Sequence, residues 1–268
     1  MVTHYDIKEI SSIIKSDEFI SNYNKNYLNN EKNKNIKLFL EKIKKNKNYY
    51  KLNINSLASN NKNIDINIIK SITNNINKIT DKNKDIIIKN IQDKINNKET
   101  ANIVINILID CIIINSKFSN LYIELVKKII ENYKIDLNTL IDKFHNLLYK
   151  NYKDTEIKNY YKLLCEKNKC TDNSIGYSIL VTKLEKSNII LNKVNKLIDE
   201  LLDKMNSDYE EDLYKYILCI YEIIKLKNIK KEDKIYLKIK NKLDDISKNI
   251  KSKKIKFKII DIFDEMSL

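Results

Sequence analysis

The sequence predicts an all-α protein, a solenoid of about five antiparallel helix pairs. Three observations predict it. A chain of 268 residues contains one glycine and no proline. Hairpin-rich β proteins draw on those residues for primed turns and edges, whereas helices joined by Asn-rich turns need neither. From Ile64 onward the apolar residues recur with a helical period. Residues 68 to 126 show what that period builds: IIKSITNNINKIT, a polar break, IIIKNIQDKIN, a second break, and ANIVINILIDCIIINSKFSNLYIELV. Four amphipathic segments with short polar turns between them are two consecutive helical hairpins.

Residues 1 to 60 stand apart as an N-terminal arm. A short amphipathic segment (Tyr5, Ile7, Ile10, Ile13, Ile14) leads into SNYNKNYLNNEKNKN, a low-complexity tract with little apolar surface to bury. Ile36 to Lys47 reads as a helix with a lysine-heavy face: Lys42, Lys44, Lys45 and Lys47. Residues 61 to 268 are the helical domain.

The first pair uses Ile68, Ile69, Ile72, Ile76 and Ile79, then Ile87, Ile88, Ile91 and Ile95, with Thr80 or Asp81 as N-cap between them. In the second, Ile103 to Ile114 is apolar nearly all round, as expected of a helix covered on both sides. Its partner carries Phe118, Leu121, Tyr122, Leu125, Val126, Ile129 and Ile130. The third opens with Leu137, Leu140, Ile141, Phe144, Leu147 and Leu148. A charged stretch, Asn151 to Asn173, then reads as an inserted loop, partly helical around Tyr160 to Cys165, before a return helix from Ile175 to Lys186. The fourth pair spans Ser187 to Asp203 and Tyr209 to Leu226. The fifth spans Lys231 to Ile250 and Ser252 to Met266. Pairs of roughly 40 residues, each burying its face only against its neighbours, are the signature of a solenoid.

Net charge is +14, from 50 lysines and no arginine against 36 acidic residues. A basic balance suits nucleic acid or an acidic partner. Lysine lacks the planar fork of arginine, so any nucleic-acid contact falls mainly on phosphate and is salt-sensitive. Lys, Asn, Ile and Tyr also share AT-rich codons, which weakens any argument from lysine count alone. Cys111 and Cys219 lie inside apolar runs and read as core residues. Cys165 and Cys170, with only His145 upstream, match no zinc spacing. MVTHYDIKEISS has no signal-peptide core, and the longest apolar run is interrupted by Asn106 and Asp110 and is too short to span a bilayer. These features lead us to expect a soluble, cytoplasmic monomer in a reducing compartment. Catalysis finds no support. The histidines are His4 and His145, the sole glycine is Gly176, and the carboxylates stand beside lysines on helix faces. No catalytic residue, metal or cofactor is expected.

Three blocks in order carry a resemblance. The ending Ser252-Lys253-Lys254-Ile255-Lys256-Phe257-Lys258-Ile259-Ile260-Asp261-Ile262-Phe263-Asp264 resembles the small-basic-hydrophobic-basic-Phe…Asp-hydrophobic-hydrophobic-Asp ending of the middle domain of eukaryotic translation initiation factor 4 gamma. Ile76-Asn77-Lys78-Ile79-Thr80 is similar to that family's Leu-Asn-Lys-Leu-Thr. Ile109 to Tyr122 is similar to its apolar helix, short turn, Phe-Ser and Tyr. A weaker match runs from Ile175-Gly176-Tyr177 through Ile190. Lysine stands where the family often has arginine, and the turn before Phe118 lacks its Glu-Pro.

The resemblance, over residues 64 to 268, implies five HEAT-type helix pairs. It also implies a scaffold that holds a DEAD-box RNA helicase (initiation factor 4A) half open and contacts RNA. The implied helicase contacts are Asn115, Lys117 and Asn120 in the second-pair turn, and Lys254, Lys258 and Asp261 on the last helix. Phe118, Tyr122, Phe257 and Phe263 are expected in the core. The basic segments supply RNA candidates: Lys42, Lys44, Lys45 and Lys47 in the arm, and Lys251, Lys253 and Lys256 near the end. Tyr5-Asp6-Ile7-Lys8-Glu9-Ile10-Ser11 resembles a degenerate ligand of the cap-binding factor, with Tyr5 and Ile10 at its anchor positions. Two alternatives stand beside this reading. One is a competitor that binds the helicase without activating it; the other is a HEAT-type adaptor unconnected with translation.

Overall fold

Among the described residues three helices end at a left-handed asparagine or lysine, a place where other proteins use glycine. The computed structural model describes residues 66–149, 160–207, 209–231 and 233–267, which lie within one compact unit, Ile54–Leu268. Among the described residues every regular element is helical. In chain order they are α1 (Ile66–Ile76), α2 (Lys84–Gln92), α3 (Lys98–Ile114), a 3-10 turn at Ser116–Phe118, α4 (Ser119–Tyr133) and α5 (Leu137–Asp142). A second 3-10 turn at His145–Leu148 precedes α6 (Tyr160–Lys186), α7 (Lys193–Lys204), α8 (Glu210–Lys227), α9 (Lys234–Asn249) and α10 (Lys253–Glu265).

Asn188 and Asn228 adopt left-handed backbone with φ of 56° just past α6 and α8. Asn188 N–H donates to the Glu185 carbonyl and Ile189 N–H to that of Leu184, the paired bonds of a Schellman stop. α4 stops in the simpler left-handed way at Lys134, with φ of 48° and a single bond from its N–H to the Ile130 carbonyl. A left-handed Cβ is strained, and lysine has no compensating local hydrogen bond. Lys134→Gly is therefore expected to stabilise the fold by about 0.5–1 kcal/mol. A urea midpoint that falls would contradict this.

Packing proceeds in order. α1 packs on α3, α3 on α6, α6 on α8 and α8 on α10. On the other side α2 packs on α4 and α7 on α9, while α1–α2, α3–α4, α6–α7, α7–α8 and α9–α10 close the pairs. Covered by α1, α4 and α6, α3 is buried nearly all round, including Ala101, Val104, Ile105, Leu108, Ile109 and Ile112. Among the described residues no single helix is long and apolar enough to cross a membrane. One bent pair, α3 with the following turn and α4, passes by length and composition but folds back through 117°, and its apolar residues fill the core.

The structure corrects three expectations. The cap before α2 is Asn83, not Thr80 or Asp81; its Oδ1 accepts from the Thr80 N–H, so the side chain braces the turn ahead of it. The first helix of the third pair shortens to α5 and a 3-10 turn. There the Phe144 N–H bonds to the Ile141 carbonyl three residues back, not four, which tightens the chain out of α geometry. Tyr160 to Cys165 are helical as expected, and the helix runs on through residues 166–173 of the expected loop, completing the first half of α6. Lys, Leu and Glu favour helix and neither Gly nor Pro interrupts, so a charged surface was mistaken for an irregular one. Residues 150–159 lie outside the described residues.

The second half of α6 packs through small polar side chains. Ser174, Ser178 and Thr182 are buried, and their hydroxyls donate to the carbonyls of Cys170, Ser174 and Ser178 one turn back. These bonds satisfy the hydroxyls within the helix, Ser174 also reaching the Leu147 carbonyl at 2.9 Å, and the small side chains let neighbouring backbones approach closely.

Candidate functional site

Lysines join helices that are distant in sequence. Lys84 Nζ lies 3.0 Å from Glu124, 40 residues on. Lys98 donates at 3.2 Å to the Lys134 carbonyl, 36 residues on, and Lys186 at 3.2 Å to that of Leu226, 40 residues on. Lys238 reaches back 39 residues to Asp199, and Lys242 reaches back 36 residues to Asn206. Two of these bonds cover otherwise unpaired carbonyls near a helix end, where a cation is favoured. None of these five lysines is among the candidate contacts; they are committed within the fold.

The joint between α3 and α4 is held by one such lysine. Lys183 Nζ, on α6, donates at 2.7 Å to Ser119 Oγ and at 2.7 Å to Asn120 Oδ1, and Ser119 Oγ donates onward to the Ser116 carbonyl. Desolvation lowers the Lys183 pKa and the nearby Lys186 charge lowers it further, with Glu222 opposing. Of the candidate contacts here, Asn115 is half-buried, Asn120 is exposed but occupied by Lys183, and Lys117 projects freely into solvent. Phe118 is 44% exposed and stands beside the exposed Ile114, which corrects its expected place in the core. Tyr122 is buried as expected. The 3-10 turn is the reason: it rotates Phe118 one step outward and leaves the buried position to Ser119.

At the other end of the row, α10 lays one flank against α8. Lys254 Nζ sits 3.8 Å from the Tyr214 ring centre and Lys258 Nζ 4.0 Å from that of Tyr221. Spacing of four residues on one helix meets spacing of seven on the other, which gives a two-rung cation–π ladder. Asp261 pairs with Lys258 at 2.7 Å. Partial burial disfavours the Lys258 ammonium, but the Asp261 bond and charge outweigh it and leave the pKa raised. Lys254 and Lys258 therefore join α10 to α8 as well as presenting charge. Nothing in the sequence marked Tyr214 and Tyr221 as their partners; only the seven-residue spacing on α8 could have suggested it.

Lys251, Lys253 and Lys256 are exposed, and so is Phe257, at 65%. Phe257 corrects a second expected core residue; Phe263 is half-buried. α6 and α8 stand in the row between the α3–α4 joint and α10, so the two sets of candidate contacts are separate surfaces. Lys42, Lys44, Lys45, Lys47, Tyr5 and Ile10 lie outside the described residues.

A third polar cluster lines a cleft of about 200 Å³ between α6 and α7. His145 Nε2 is 3.0 Å from Glu200 and its Nδ1 is 3.2 Å from Tyr177 Oη. Tyr149 Oη donates to Glu200 at 2.6 Å, and Lys193 pairs with Asp142 at 2.9 Å. Burial pushes both tyrosine hydroxyls up. These groups satisfy one another, which is the arrangement of a tie between helices. Cys111 and Cys219 are buried, and burial pushes their thiols up to about 12, leaving them protonated and inert. Among the described residues no cluster of His, Cys, Asp and Glu could hold a metal ion.

No family model matches this chain, and no curated protein or solved structure is significantly similar to it. The functional reading therefore rests on the residues and the fold.

Proposed function

We propose that the chain is a helical-repeat scaffold of the HEAT type that binds a DEAD-box RNA helicase (initiation factor 4A) and RNA in translation initiation. The observation that carries the reading is the ordered packing of α1, α3, α6, α8 and α10. Lysine bridges between helices accompany it, several of them spanning 36 to 40 residues. Those are the features of a stack whose units contact only their neighbours, and such stacks present separated surfaces to large partners. The α3–α4 joint supplies one surface, with Lys117 and Phe118 exposed, and the α10 flank supplies another. Contacts on two helicase lobes would favour one lobe arrangement by differential affinity.

The test is capture of the helicase by the full chain, followed by its ATPase rate. Lys117→Glu is the informative variant because Lys117 is exposed and the joint is held by other residues. It is expected to weaken helicase binding roughly five- to tenfold, the usual cost of reversing a contact charge. Binding without ATPase stimulation would select the competitor over the activator. Failure to capture the helicase at all would leave an adaptor unconnected with translation.

A further inference from the structure

The outer face of α10 carries four exposed residues in a row: Lys253, Phe257, Ile260 and Asp264. Phe257 is 65% exposed and Ile260 51%. Their spacing of four, three and four is that of a coiled-coil seam, and at helical pitch they fall within an arc of about 60°. The buried residues Ile255, Ile259 and Ile262 occupy the opposite side. Lys254 and Lys258 take the flank facing α8. Neither α8 nor α9, the helices packed on α10, covers the seam.

The order along this seam is cation, aromatic, aliphatic, anion. Read backwards against itself, it complements itself. In an antiparallel pair about a two-fold axis, Lys253 faces Asp264 of a second copy and Phe257 faces Ile260, and each contact occurs twice. A parallel pair would set Lys253 against Lys253 and Asp264 against Asp264. We propose that this face is a self-association surface on which α10 of a second copy docks antiparallel. The inference is independent of the helicase reading.

One helix face per copy places the contact at the low end of specific interfaces, below roughly 1,200 Å². The net charge of +14 also opposes approach. The dimer is accordingly weak, with a Kd on the order of 100 µM at physiological salt. Sedimentation equilibrium of the full chain from roughly 10 to 500 µM reads it directly. Lys253→Asp and Asp264→Lys are each expected to abolish association alone, and their 1:1 mixture to restore it. The double variant carrying both changes is expected to dimerise again, which only the antiparallel register allows. Both substitutions suit the helix dipole, so α10 stays folded; circular dichroism verifies this. A wild-type chain that stays monomeric throughout overturns the proposal. So does association that the single charge reversals leave unchanged, because another surface or another occupant then covers Phe257 and Ile260.

Discussion

Gly176→Ala is expected to destabilise the protein by about 3 kcal/mol or more, a large share of the roughly 5–15 kcal/mol that holds a domain folded. In a helix interior alanine normally gains about 1 kcal/mol over glycine. Here the added methyl would sit 1.9 Å from the Ile113 carbonyl oxygen, 2.6 Å from its carbon and 2.8 Å from its Cα. All three are backbone atoms, so no side chain can rotate away. α6 and α3 would have to part by more than 1 Å along their whole contact, loosening Ile105, Leu108, Ile109 and Ile112 together. For a chain of this length the loss lowers Tm by roughly 6–12 °C. A thermal melt unchanged or raised by the substitution would show that the two helices are not in backbone contact.

Asp110→Asn is expected to stabilise the fold above pH 6 and to flatten its dependence on pH. Asp110 is half-buried on α3, and desolvation pushes its carboxyl from the ordinary 3.8 up to about 6. The native state therefore holds this proton more tightly than the unfolded chain. Stability from the group is fully present below pH 4, is lost as pH rises through 6, and stays lost at pH 7. The shift alone corresponds to about 3 kcal/mol. Partial solvent screening reduces this to about 1–2 kcal/mol. Urea unfolding at pH 4.5, 6 and 7.5 measures it. Equal stabilities of the two proteins at pH 7.5 would mean that the Asp110 carboxylate is well solvated.

The helical class and the core were legible because the isoleucines keep period. Ile69, Ile72, Ile76, Ile87, Ile88 and Ile91 all sit where their spacing places them. What failed did so where surface chemistry and backbone geometry part company. Residues 166–173 of α6 look like a loop because charged residues favour helix and solvent equally. Phe118 and Phe257 look like core because aromatics usually are, yet a 3-10 turn and an uncovered outer face put them in solvent. The partners of the lysines were not legible at all, since they lie far along the chain, 40 residues on for Lys84 and 64 back for Lys183, and no local pattern announces them. Gly176 was visible as the only glycine, but its reason belongs to Ile113.

The contrast between the Gly176 contact and the lysine bridges has a mechanical consequence. Where backbone meets backbone, at α3 and α6, the stack has no slack, and small displacements meet steep repulsion. Where Lys238 and Lys242 tie α9 to the α7 region, four-carbon stems can swing while the charged heads keep their partners. The helix packing is thus stiff between α3 and α6 and more compliant between α7 and α9. An imposed displacement would then be taken up at α9, leaving the contact of α3 with α6 undistorted.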